Sequence, residues 1–166
     1  GSAGFLEASV RLSKGGKFDV RTLCLARDRL ARTAGLADFS FAMQGLGSGP
    51  ISLFGTDEQR QRFLVPVSRG DAIAAFALSE PNAGSDAVGI QTTAVRTGDL
   101  YVLNGEKIWI SLADVADNFL VIAWTDQVPA PPLTGEVWLA TLAVVESVAV
   151  GANASQASVM PRAATS

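Results

Sequence analysis

Ser79, Glu80, Ser85 and Asp86 place two hydroxyls and two carboxylates in one short stretch, FALSEPNAGSDAVG, at residues 76–89. Two carboxylates so near in sequence suit general acid–base work, one protonated and one ionised. They suit equally well a structural task, as acceptors that fix a loop by binding backbone N–H groups. Gly84-Ser85-Asp86 by itself reads as a turn with a helix-type cap, and Ser79 as a strand-end serine satisfied by backbone. Trp109, near a turn signal, reads in isolation as a core aromatic. Yet a plain turn needs fewer special residues than this. An apolar run that stops at Ser79-Glu80, crosses Pro81 and then exposes backbone around Gly84 implies that the loop holds something.

The composition narrows what that can be. The chain has 166 residues, 48% hydrophobic and 17% charged, with a formal net charge of −3. That is enough apolar surface for a core and no charge block or basic stripe, so nucleic acid and anionic membrane are poor partners. The apolar stretch from Val137 to Val145 is far short of the roughly 20 residues that a membrane helix needs. No secretory signal is evident at the start, and an intracellular setting, the cytoplasm or the mitochondrial matrix, is expected. Cys24 has no partner for an internal disulfide, and there is no histidine. Ser-His-Asp triads, Cys-His pairs and the commonest zinc sites are thereby removed, and no metal is expected. Redox chemistry would require a bound organic cofactor.

The elements that must position these residues fall into two halves. From Asp19 onward, Val20, Leu23, Leu25, Leu30 and Ala31 are spaced along a helix, with Gly35 as a plausible stop. A second apolar segment runs from Leu36 to Leu46 and ends in the glycine-rich GLGSGP. Thr56 and Gln59 have capping-box spacing and open a third helix, with Phe63, Leu64 and Val67 buried, Arg60, Gln61 and Arg62 wet, and an end near Arg69-Gly70. After Asp71 the pattern becomes strand-like. Ile73–Leu78 and Ile90–Arg96 are strand candidates, Gly98-Asp99 marks a turn, and Asn104-Gly105 predicts a hairpin between YVL and KIWI. NFLVIAW from Asn118 is a further strand, and 135–150 supplies one or two more. The expected organisation is α+β: a helical N-terminal segment (1–72), an antiparallel, β-barrel-like middle domain (73–150) and a loose tail (151–166).

Three stretches together resemble the acyl-CoA dehydrogenase family. FALSEPNAGSD (76–86) and YVLNGEKIWIS (101–111) are similar to its two central signatures, and LFGTDEQRQRFLVPVSRGD (53–71) to the helix that precedes them. The resemblance implies a helical N-terminal domain, a β middle domain carrying FAD, and a C-terminal helical bundle for which this chain has no counterpart. It implies α,β-desaturation of an acyl-CoA thioester in lipid metabolism, with hydride passing to flavin N5 and electrons leaving to an electron-transferring flavoprotein. A homo-oligomer is expected of the full-length form.

Carried over by position, Phe76, Ala77, Leu78, Ser79, Glu80, Pro81, Asn82, Ala83, Gly84 and Ser85 would line the FAD, joined by Trp109, Ile110 and Ser111. The Ser79 hydroxyl would bond the pyrimidine side of the flavin, Trp109 would pack beside the tricyclic ring, and the Ser111 hydroxyl would lie near N5. Ser85 would contact both FAD and acyl-CoA, and Ala42 and Leu46 would border the acyl tail. Serine stands at 79 and 111 where the family usually has threonine, and Leu112-Ala113-Asp114 replaces a common Asn-Gly-Gly. The family's catalytic glutamate belongs to the C-terminal bundle, so no catalytic residue is assigned within this chain, and the chain alone is expected to be inactive. Two alternatives stay open: a non-catalytic remnant serving as a binding or oligomerising module, and a flavin oxidase or monooxygenase relative of the same fold.

Overall fold

The computed structural model of the protein describes residues 4–13, 16–98, 100–125, 142–145 and 156–159. The chain divides into two units, Gly1–Phe76 with Ser111–Asn118, and Ala77–Ile110 with Phe119–Ser166. The division passes through two strands, so each unit is built from more than one stretch of sequence.

The first unit is mainly helical. Helix α1 spans Val20–Thr33 and starts where the Asp19 carboxylate accepts from the Arg21 N–H and the Thr22 hydroxyl, which satisfies donors that the first turn leaves orphaned. It stops at Thr33, before Gly35, and Gly35 opens helix α2 (Gly35–Phe54). The Arg27 guanidinium forks onto both oxygens of Asp38 and ties α1 to α2. Only Ala26 of α1 is buried; Val20 and Leu25 are exposed, and Leu23 and Leu30 are half-buried.

Helix α2 departs from the sequence reading. It continues through GLGSGP, with Pro50 in its interior, and ends at Gly55, whose N–H bonds the Ile51 carbonyl. Its buried stripe is Phe41, Gln44, Gly47, Ser48, Ile51 and Ser52. These positions recur at helical spacing, but four of the six are polar or lack a side chain, so a hydrophobic period does not register them. The small residues serve packing: a Cβ on Gly47 would lie 2.8 Å from the Ala74 Cβ and 3.0 Å from the Ala74 carbonyl carbon. Gln44 completes the join, its Oε1 accepting from the Ala74 N–H at 2.8 Å. Tertiary contact overrides the low helix propensity of the glycines.

The next helical stretch begins with the expected capping box, Thr56 Oγ1 accepting from the Gln59 N–H and Gln59 Oε1 from the Thr56 N–H. It runs as α3 (Asp57–Gln59), a π turn (Arg60–Leu64) and α4 (Val65–Arg69), closed by Gly70 at φ 77°. Leu64 and Val67 are buried as expected and Phe63 is half-buried. Arg60 corrects the reading: it is 2% exposed, with one guanidinium nitrogen on Asp57. The π turn changes the angular step between residues, so the exposed face assumed for a regular helix does not hold there.

Strand β1 (Ala74–Ala77) leaves this unit, and Asp117 returns to it, its carboxylate accepting from the Ile73 N–H and its own N–H bonding the Ile73 carbonyl.

In the second unit, β2 (Thr93–Thr97) and β3 (Leu100–Asn104) form an antiparallel hairpin whose turn begins at Gly98, φ 62°. β4 (Asn118–Ile122) pairs antiparallel with β5 (Leu142–Val145), and β3 with β6 (Gln156–Val159). Strand β6 lies in the segment expected to be a loose tail; 151–155 and 160–166 fall outside the described residues. Phe119, Leu120, Val121, Ala94 and Leu103 are buried here. Among the described residues these runs close no barrel.

The Asn104-Gly105 hairpin does not form. β3 ends at Asn104, and residues 106–110 make no strand. Gly105, at φ 154°, passes so close to Thr92 that a Cβ would lie 2.7 Å from its Cα. The glycine is required by close approach of two backbones, and the chain beyond it turns to a different partner.

Candidate functional site

That partner is the segment just after β1. The Ile108 N–H bonds the Ser79 carbonyl at 2.9 Å, and Lys107 Nζ donates to the Leu78 carbonyl at 2.8 Å. The two segments singled out in the sequence, 76–86 and 101–111, therefore meet through their residues 78–80 and 107–108, within the second unit. The meeting is irregular, through one backbone bond and one side chain, which is why strand patterns do not announce it.

Glu80 anchors the junction. Its Oε1 accepts from Lys107 Nζ at 2.7 Å and from the Thr92 N–H and hydroxyl, and its Oε2 from the Gln91 N–H at 2.6 Å. The carboxylate is 7% exposed. Burial by itself pushes its pKa up, but the bonds from Lys107, from the Thr92 hydroxyl and from the two backbone N–H groups outweigh burial and hold it at about 2. A carboxylate saturated by donors and ionised at neutral pH is a poor proton acceptor. Of the two roles open from sequence, Glu80 takes the loop-fixing one. Lys107 and Thr92 were not singled out in the sequence; the signal was available, since Lys107 stands two residues before Trp109 in the second segment.

The loop itself is a tight turn. Glu80 and Ala83 exchange both backbone hydrogen bonds, 2.9 and 3.1 Å, across exposed Pro81 and Asn82. Ala83 is buried, and Gly84, Ser85 and Asp86 are exposed ahead of a short 3-10 turn at Ala87–Gly89. A Cβ placed on Gly84 would meet nothing within 4 Å. Among the described residues nothing demands glycine there, and none of them fills the space beside that backbone.

Trp109 is 87% exposed and sits at φ 55°. A bulky residue in the left-handed region is an outlier, and an indole this exposed stabilises the core little. The isolated reading, a core aromatic, is excluded. Ile110 is half-buried, as are Leu78 and Ser79, while Ala77 is buried. The remaining candidates belong to the first unit: half-buried Phe76 and Ser111, half-buried Ala42 and exposed Leu46 on α2, with Leu112 at φ 65° just after Ser111.

Comparison with known proteins places these features. Residues 75–160 match the middle domain of acyl-CoA dehydrogenases, and residues 1–71 their N-terminal domain. The probable acyl-CoA dehydrogenase YngJ of Bacillus subtilis is 44% identical over 108 residues, 64% of this chain and 28% of that protein. The caffeyl-CoA reductase–Etf complex subunit CarC of Acetobacterium woodii is 40% identical over 125 residues, 74% of this chain and 33% of that one. The crystal structure of an acyl-CoA dehydrogenase complexed with FAD, from Bacillus anthracis, superposes with a TM-score of 0.70 at 37% identity, covering 87% of this chain and 24% of that one. The chain thus spans about a quarter to a third of the length of these relatives. The paired segments, the exposed tryptophan in the second of them and the match of both domains agree: this chain belongs to the acyl-CoA dehydrogenase family.

Proposed function

We propose that this chain is the part of an FAD-dependent acyl-CoA dehydrogenase that carries the flavin wall, with residues 73–150 as its flavin- and acyl-CoA-binding domain. The observation that carries the reading is the junction of Ser79 with Ile108, which brings the loop at 79–85 beside the segment that presents Trp109 at positive φ with 87% of its surface exposed. A strained, exposed indole on a segment joined to that loop suits a flat aromatic ligand. It is the arrangement expected where strain is kept for a function. The relative complexed with FAD supports that ligand.

FAD, when bound, would supply the acceptor for a hydride leaving the β carbon of an acyl-CoA thioester. The chain's own residues have narrower tasks. The Ser79 hydroxyl would hold the pyrimidine edge of the flavin as a hydrogen-bond donor. Trp109, with Ile110 beside it in sequence, would hold the ring and shield it from water. Gly84 and Ser85 would offer backbone to the ligand where a side chain would block it. Glu80, ionised and saturated with donors, does not remove the α proton, and the chain contributes no base. The relative that forms an Etf complex supports an electron-transferring flavoprotein as acceptor.

The test is titration of the purified chain with FAD, followed by quenching of flavin fluorescence. Saturable binding that weakens at least tenfold in Trp109→Ala is expected; a chain that takes up no FAD would sink the reading. Acyl-CoA oxidation by the FAD-loaded chain with an artificial acceptor should stay near background. Robust turnover would mean that a base resides in these 166 residues.

A further inference from the structure

Residues 105–110 lie between β3 and Ser111 without secondary structure of their own. Something other than a sheet must fix the direction in which this segment presents Trp109. Three interactions hold it: the Ile108 N–H on the Ser79 carbonyl, Lys107 Nζ on the Leu78 carbonyl, and the Lys107–Glu80 ion pair. Two of the three are made by one ammonium group, on a side chain only 11% exposed. Glu80 in turn is anchored to the backbone at Gln91 and Thr92, and the Thr92 carbonyl accepts from the Trp124 N–H. The segment is therefore tied, through Lys107, to framework at three separate places in the sequence. A flexible alkyl stem alone gives no geometry; two acceptors 2.7 and 2.8 Å from the same nitrogen do.

We propose that Lys107 is a positioning residue: by bridging the Leu78 carbonyl and the Glu80 carboxylate, its ammonium sets the backbone geometry that presents Trp109, and through it the affinity for the flavin. The affinity part rests on the flavin reading above; the presentation of Trp109 does not.

The experiment separates the two. The chain is labelled with 5-fluorotryptophan, and the Trp109 resonance is identified by its loss in Trp109→Phe. Lys107→Met and Lys107→Arg are compared with the parent for folded fraction by far-UV circular dichroism, for the Trp109 resonance without ligand, and for FAD dissociation constant. Lys107→Met is expected to move or broaden the Trp109 resonance while the other two tryptophans keep theirs, and to weaken FAD binding at least tenfold in the folded fraction. Lys107→Arg, which retains charge and donors, should return both readouts to within about threefold of the parent. A folded Lys107→Met with an unmoved Trp109 resonance overturns the proposal, as does an affinity loss that merely follows the unfolded fraction. If the parent chain takes up no FAD, the flavin reading fails while the resonance still judges the role of Lys107. Should Lys107→Met not fold, Lys107→Gln, which keeps a donor for Leu78 and removes the ion pair, is read in the same way.

Discussion

Glu80 and Trp109 mark two opposite uses of a residue. Glu80 joins its neighbours so completely that its chemistry is silenced. Its folded pKa, about 2, lies below the ordinary 4.5, so the stability it contributes is present above the unfolded value and disappears as pH falls from about 4.5 to about 2. The shift corresponds to about 3 kcal/mol. Thermal melts of the parent and of Glu80→Gln should differ most near neutral pH and converge across that window; a constant gap would refute the assignment. Trp109 does the reverse. With 87% of its surface in solvent, removing it loses little burial, while its positive φ costs about 1–2 kcal/mol for any residue with a Cβ. Trp109→Gly is therefore expected to melt no lower than the parent, and to lose flavin affinity at least tenfold. A marked drop in melting temperature would mean that the indole supports the fold after all.

At the scale of the element, α2 shows how a polar, glycine-rich face can be a core face. Gly47 lies against Ala74, and Gln44 binds the Ala74 backbone in both directions, at 2.8 and 3.4 Å. Gly47→Ala introduces a methyl group where the nearest atoms are a Cβ and main chain, neither able to swing away. A loss of about 1–3 kcal/mol is expected in denaturant unfolding, although alanine is the better helix former. Stabilisation by Gly47→Ala would show that propensity outweighs packing there. The segment at 105–110 teaches the complementary lesson. Asn-Gly is a strong hairpin signal, yet Gly105 is required by contact with Thr92, and the following residues bond to Ser79. The short-range rule was correct about the need for glycine and silent about the reason.

For the whole molecule, the two domain matches cover nearly all of the chain, while the chain spans about a quarter to a third of its relatives. Helices α1 and α2 carry Leu25, Leu36 and Phe54 at 70–74% exposure, apolar surface whose burial against a second copy would be favourable. The isolated chain is expected to self-associate in sedimentation velocity as its concentration rises, and Leu36→Gln with Phe54→Gln should reverse this. A monodisperse monomer throughout would show that these side chains are tolerated in water. No helix among the described residues is long and apolar enough to cross a membrane.

What the sequence determined by itself was local and compositional. Asp19 and the Thr56–Gln59 box begin helices because a side chain can satisfy the nearest orphaned N–H groups, whatever the rest of the molecule does. The resemblance of 76–86 and 101–111 to two family signatures was legible for a related reason, since each is contiguous in the chain. Tertiary structure alone decided what crosses between segments. It continued α2 through its glycines, buried Arg60 at a π turn, made Glu80 a four-fold acceptor and turned Trp109 outward. Each outcome depends on an atom dozens of residues away or on a backbone angle that neighbours in sequence do not dictate. Only folding brings Lys107 to Leu78 and Glu80, and Ile108 to Ser79.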